Sequence, residues 1–191
     1  LGQSDKAIEP LGAAAKASDD PATHARWAEA LARAGRYDEA QAAIDTLPGT
    51  NVEYSRAMLR GLIARGRTEA LMAQGLQSQA QDELVRYRAS LKEGMEADPA
   101  NFVPYMLLAR SLLNEYEVTQ DRAMLADALQ TIEDGMVGNQ DSEQLAVVRA
   151  DVLQADGQLR RAIDEMATFL VSSPRSAAMR QRLVDAHIHS G

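Results

Sequence analysis

The chain has no cysteine, and that absence removes disulfides, thiolate zinc sites and cysteine nucleophiles together. Aromatic residues are nearly as scarce: two Phe, one Trp and five Tyr make up 4% of a sequence that is 46% hydrophobic. Ala and Leu carry the apolar content instead. Small and unbranched side chains suit closely packed helices, whereas sheets draw on β-branched and aromatic residues. An excess of positive charge is also missing. The formal net charge of −8 argues against unspecific binding to nucleic acid or to an anionic membrane surface. No apolar run approaches the length a bilayer requires, so direct membrane insertion is not expected. No signal-peptide pattern opens the chain. The sequence starts at Leu1 rather than Met, and the expectation is an excised piece of a longer protein. Its composition suits the bacterial cytoplasm and periplasm alike.

What is present is a repeat. Gly2, Gly35, Gly75 and Gly157 each open one pattern: four residues, an Ala, three residues, then an apolar side chain. The copies are Gly2–Ala7–Leu11, Gly35–Ala40–Ile44, Gly75–Ala80–Leu84 and Gly157–Ala162–Met166. With Gly191 included, the glycines are spaced by 33, 40, 82 and 34 residues, and 82 is two units of 41. A period near 34 residues marks a helical repeat array, whose units bury their apolar faces only by stacking on neighbours. The 191 residues accommodate about five such repeats or one ordinary domain.

Apolar spacing predicts helices over 4–17, 22–34, 37–47, 52–74, 77–97, 102–117, 121–137, 143–156, 158–172 and 176–190. Glycine ends several of them, because it tolerates the left-handed conformation that caps a helix C-terminus. Pro10 should bend or loosen the first helix. Gly61 and Gly66 weaken the fourth, by about 1 kcal/mol each relative to Ala, so a break is expected near Arg65-Gly66-Arg67. The turn at Val118-Thr119-Gln120 has no glycine.

The residues around two of the turns resemble the tetratricopeptide repeat (TPR), a helix–turn–helix unit with small residues where its helices touch. Trp27-Ala-Glu-Ala-Leu31-Ala-Arg-Ala-Gly35-Arg-Tyr37-Asp-Glu-Ala40 looks like the middle of one such repeat. Ala150, Leu153, Gly157, Ala162, Met166 and Pro174 fit a second. The resemblance extends over nearly the whole chain as a single array, 1–191. Residues 4–20 read as the second helix of a truncated repeat, 21–50 as a repeat, 51–99 and 100–141 as extended repeats, 142–175 as a repeat, and 176–191 as the first helix of another. The 40-residue spacing of the middle departs from the family's 34 and is attributed to helices longer by about two turns. What the resemblance implies is an all-α, right-handed superhelical solenoid, with the first helix of each hairpin lining a concave groove. It also implies a non-catalytic protein–protein interaction scaffold that binds a peptide or protein along that groove. The alternative is a structural spacer or assembly scaffold in a larger complex, for example in a bacterial envelope.

By the family register the groove side chains are Glu29 and Arg33, then Met106, Arg110 and Leu113, then Asp151 and Gln154, then Asp185 and His189. Their acids imply a basic or mixed apolar–basic partner. The helix over 102–117 is apolar on nearly every face. Packing on both sides is the ordinary reading, and an adaptable trough lined by Met106 and Leu113 is the sharper one. His187 and His189 stand at i and i+2, on nearly opposite sides of a helix, and cannot share one ion. Only Asp185 and His189 have the i, i+4 spacing of helical metal ligands, and two ligands are too few. No catalytic motif and no phosphate loop is recognisable. The expectation is therefore no enzyme activity, no cofactor, no metal and no nucleic-acid partner. Two apolar stripes, Ala7–Leu11–Ala14 and Met179–Leu183–Ala186, are expected to lack partner helices and to promote head-to-tail self-association.

Overall fold

The protein is described by a computed structural model that covers residues 4–190, with side chains over 7–188. Ten helices and no strand occur among the described residues, and helix accounts for 80% of the chain. The chain divides into two compact units, Leu1–Asp98 and Pro99–Gly191.

The first unit holds α1 (Ser4–Lys16), α2 (Pro21–Arg33), α3 (Tyr37–Asp45), α4 (Glu53–Ala73) and α5 (Gln77–Ala97). Asp20 caps α2: its carboxylate accepts from the backbone N–H of Ala22 and Thr23 at 3.3 and 3.0 Å, with Pro21 at the first helical position. Helix α2 packs on α1, α3 and α4. Ile8, Ala28, Leu31, Ala32, Ala40, Ala43, Ile44, Leu59 and Ile63 make the core there. The long pair α4 and α5, 21 residues each, packs along its length and accounts for the wide glycine spacing.

Pro10 lies inside α1 without ending it. Helix α4 likewise runs unbroken through Arg65-Gly66-Arg67, contrary to the break its glycines predict. A Cβ on Gly66 would stand 2.7 Å from the Tyr37 hydroxyl oxygen. The glycine thus serves close approach between α4 and Tyr37, and the packing on the Tyr37 side outweighs its poor helix propensity.

The second unit holds α6 (Phe102–Thr119), α7 (Arg122–Met136), α8 (Glu143–Ala155), α9 (Leu159–Ser172) and α10 (Ala177–Ser190). Side chains of Asn101, Asp121, Ser142 and Ser176 each accept from a backbone N–H two or three residues on, so four of these five helices start on a polar cap. Helix α6 packs on α7 and α8, and α8 in turn on α7, α9 and α10. Leu108, Leu125, Ile132, Leu145, Leu153, Met166 and Met179 are among the buried side chains.

Three turns share one hydrogen-bond pattern. Arg36 donates its backbone N–H to Leu31 O, Leu76 to Leu71 O, and Gln158 to Leu153 O, at 2.9, 3.0 and 2.8 Å. In each, the preceding glycine has positive φ: 77° at Gly35, 75° at Gly75 and 78° at Gly157. This is the Schellman stop, in which a left-handed residue returns the next N–H to a carbonyl one turn back. The turn without glycine reaches the same end by another route. Gln120 itself adopts φ 57°, and its side-chain amide donates to the carbonyls of Tyr116 and Glu117 at 3.2 Å.

The terminal stripes differ from expectation. Met179 and Ala186 are buried against α8 and α9, while α10 exposes Val184 and Ile188. The stripe chosen on α10 is therefore its covered face. Helix α1 buries Ile8 and Ala15, one residue along from the expected Ala7 and Ala14, which are exposed. A helix packed on one side turns one stripe inward, and alanines at neighbouring positions leave its register open by one residue. Gly2 and Gly191, assigned as equivalent turns, lie outside the described residues.

Candidate binding surface

The first helices of successive hairpins touch one another: α2 packs on α4 in the first unit, and α6 on α8 and α8 on α10 in the second. Side chains on these helices that turn away from the second helices of their hairpins are the ones a partner can reach.

In the first unit the two expected residues pair with each other. Arg33 donates from Nε to Glu29 Oε1 at 2.9 Å, one turn apart on α2. Both side chains are well exposed, 63% for Arg33 and 42% for Glu29, so the pair is weak and open to exchange with another charge.

In the second unit four expected residues come together. Arg110 and Leu113 on α6, with Asp151 and Gln154 on α8, line one recess of about 330 Å³. Asn114, Glu117 and Ala155 complete its wall. Arg110, Asn114 and Glu117 follow at spacings of four and three, which stacks them on one face of α6. The Tyr116 hydroxyl donates to Ala155 O at 3.4 Å and ties the end of α6 to the end of α8. Met106 is half-buried on α6 and does not line the recess. Helix α6 buries Tyr105, Leu108, Ala109 and Leu112 between α7 and α8, which is the two-sided packing its composition implies.

The electrostatics of this face were only half visible in the sequence. Asp151 is engaged by Arg182 of α10, which donates from Nε and a terminal nitrogen at 2.8 and 3.1 Å. This bidentate pair is the strong geometry for a carboxylate. The hydrogen bond to Asp151 raises the Arg182 pKa above its ordinary value. Asp151 is therefore already compensated. Asp185 is exposed and accepts from Gln181 at 3.0 Å. The His189 side chain lies outside those described. Arg110 and Glu117 make no side-chain ion pair among the described residues, so the recess presents one uncommitted cation and one uncommitted carboxylate. Asn114 and Glu117 could have been found from their helical spacing to Arg110. Arg182 could not, since it reaches Asp151 across 31 positions.

No group of three or more His, Asp or Glu side chains that could hold a metal ion occurs among the described residues. No helix among them is long and apolar enough to cross a membrane.

No protein-family model matches the sequence, and no curated protein matches it either. Solved structures do. A thermophilic TPR protein from Thermus thermophilus aligns over 98% of this chain and 92% of its own, with a TM-score of 0.68 at 17% identity. YrrB, a TPR protein with an unusual peptide-binding site, aligns over 98% of this chain and 84% of its own, with a TM-score of 0.50 at 14% identity. The protein therefore has the all-α helical-repeat fold of TPR proteins.

Proposed function

We propose that the protein is a non-catalytic interaction scaffold that holds a peptide or protein segment against its first-helix face, with the α6–α8 recess as the principal contact. The observation that carries this reading is the convergence of Arg110, Leu113, Asp151 and Gln154 on one recess. Repeat register alone selects those positions. The fold supports it further, since YrrB is a TPR protein with a peptide-binding site.

The partner is of mixed charge with an apolar element. Arg110 takes an acidic group, Glu117 a basic one, and Leu113 an apolar side chain between them. Along α6 the two charges lie seven residues apart, or about 10 Å at 1.5 Å per residue. The Asp151–Arg182 pair holds α8 against α10 and shapes the wall rather than receiving the partner's charge.

The test is selection of peptides from a displayed random library on the whole chain, followed by affinity measurement on variants. Arg110→Ala and Leu113→Asp should each weaken the selected peptides about tenfold, the effect of losing about 1.4 kcal/mol at a contact residue. Unchanged affinity in both variants removes this face from the account. A library that yields no binder favours the spacer role.

A further inference from the structure

One carboxylate in the wall of the α6–α8 recess stands between two arginines. Asp151 on α8 and Arg110 on α6 line the same space, yet among the described residues they form no ion pair with each other. Arg182 comes from α10 and is not part of that lining, but it engages both oxygens of Asp151, at 2.8 and 3.1 Å. The two side chains are 32% and 30% exposed. This pair is therefore better shielded from water and salt than Glu29–Arg33.

The packing of α10 aims Arg182 at this carboxylate. Met179, Arg182 and Ala186 follow at spacings of three and four, which places the arginine along the stripe that Met179 and Ala186 bury. The start of α10 is tied to α8 as well, because the Ser176 hydroxyl donates to Glu143 at 2.8 Å. With Ser176 and Arg182 both bonded to α8, α10 cannot slide without breaking one of these contacts.

The consequence falls on Arg110. The charged groups of the lining are Arg110, Glu117 and Asp151. Arg182 cancels the charge of Asp151, which leaves Arg110 and Glu117 balanced and uncommitted. Without Arg182 the lining would carry an excess negative charge, and the released carboxylate would compete with any incoming acid for Arg110.

We propose that Arg182 sets the charge preference of the recess. By holding Asp151 it keeps Arg110 available to an acidic side chain of the partner, and without it the recess favours a basic one. Arg182 acts through Asp151, so it is a positioning residue. The inference rests on the recess being the contact surface proposed above.

The test selects peptides from a displayed random library on the whole native chain and, in parallel, on Arg182→Met. Peptides from the native chain should carry Asp or Glu, and those from Arg182→Met should be enriched in Lys or Arg instead. The native-selected peptides should bind Arg182→Met about three- to fivefold more weakly, the upper range for one partly exposed charge. Adding Asp151→Asn to Arg182→Met removes the released carboxylate and should restore them to within about twofold of the native affinity. A role confined to tying α8 to α10 predicts no such recovery, since the double variant lacks the tie too. Native-selected peptides without an acid, equal affinity for the native chain and Arg182→Met, or a double variant as weak as the single would each overturn the inference while leaving the recess as the contact. No binder to the native chain, or binders indifferent to both Arg110→Ala and Leu113→Asp, would overturn it together with the proposed function.

Discussion

Ala40 and Ala162 show what a single methyl group decides here. Each is completely buried on the second helix of its hairpin, at the position the repeat pattern marks. Any larger side chain must push two helices apart. Ala40→Leu and Ala162→Leu should each cost about 1–3 kcal/mol, measured by chemical denaturation, and a change near zero at both would mean that the helices yield freely. Asp20 acts through charge instead. The Thr23 hydroxyl first, and then the backbone N–H groups of Thr23 and Ala22, hold its pKa below the ordinary 3.8. A depressed carboxylate pKa means that its stabilising share is present above the unfolded value and lost as pH falls through the folded one. Thermal melts taken from about pH 5 down to about pH 2 should therefore fall more steeply for the native protein than for Asp20→Asn, which cannot titrate. Gln120 is the complementary case, a non-glycine residue at φ 57°. Gln120→Gly relieves the left-handed strain but also removes the two amide hydrogen bonds to Tyr116 and Glu117, so in chemical denaturation its net effect should stay within about 1 kcal/mol of zero.

At the scale of the helix and the turn, most of the architecture was legible. Glycine followed by an Ala-containing apolar pattern located the stops at Gly35, Gly75 and Gly157, because a Schellman turn needs a residue that tolerates positive φ and the sequence offers few others. The failures have one cause. Gly66 and Gly61 read as helix weaknesses, yet α4 continues through them, since propensity counts less than the fit of a neighbouring ring. The α10 stripe failed similarly: periodicity identifies a face but not which neighbour covers it. Gly135 allows the balance between propensity and packing to be measured. A Cβ there would lie 2.7 Å from Tyr105 Cβ, an atom too near the backbone of α6 to swing aside. The gain in helix propensity on adding that methyl is about 1 kcal/mol. Overpacking at so rigid a contact costs about 1–3 kcal/mol, so Gly135→Ala should be destabilising overall in a urea titration, and a stabilised variant would show that α6 and α7 slide.

For the molecule as a whole, the α6–α8 recess was partly legible in the sequence. Repeat register alone brought out Arg110, Leu113, Asp151 and Gln154. It was silent on Arg182, whose partner is on another helix. Register tells which way a side chain points but not what it meets. The packing of these helices has a kinetic consequence as well. The principal packed helix pairs join elements that are next, or next but one, along the chain, such as α2 with α4 or α8 with α10. The contacts to be formed are thus short in sequence, and little loop-closure entropy stands between the extended chain and its first productive hairpin. Each hairpin can nucleate on its own turn, and its neighbours add to a surface already in place. The main refolding phase of each unit should fall within milliseconds, the regime of chains with low contact order. Amide exchange should open hairpin by hairpin within each unit, with protection rising from the turns toward the buried alanines.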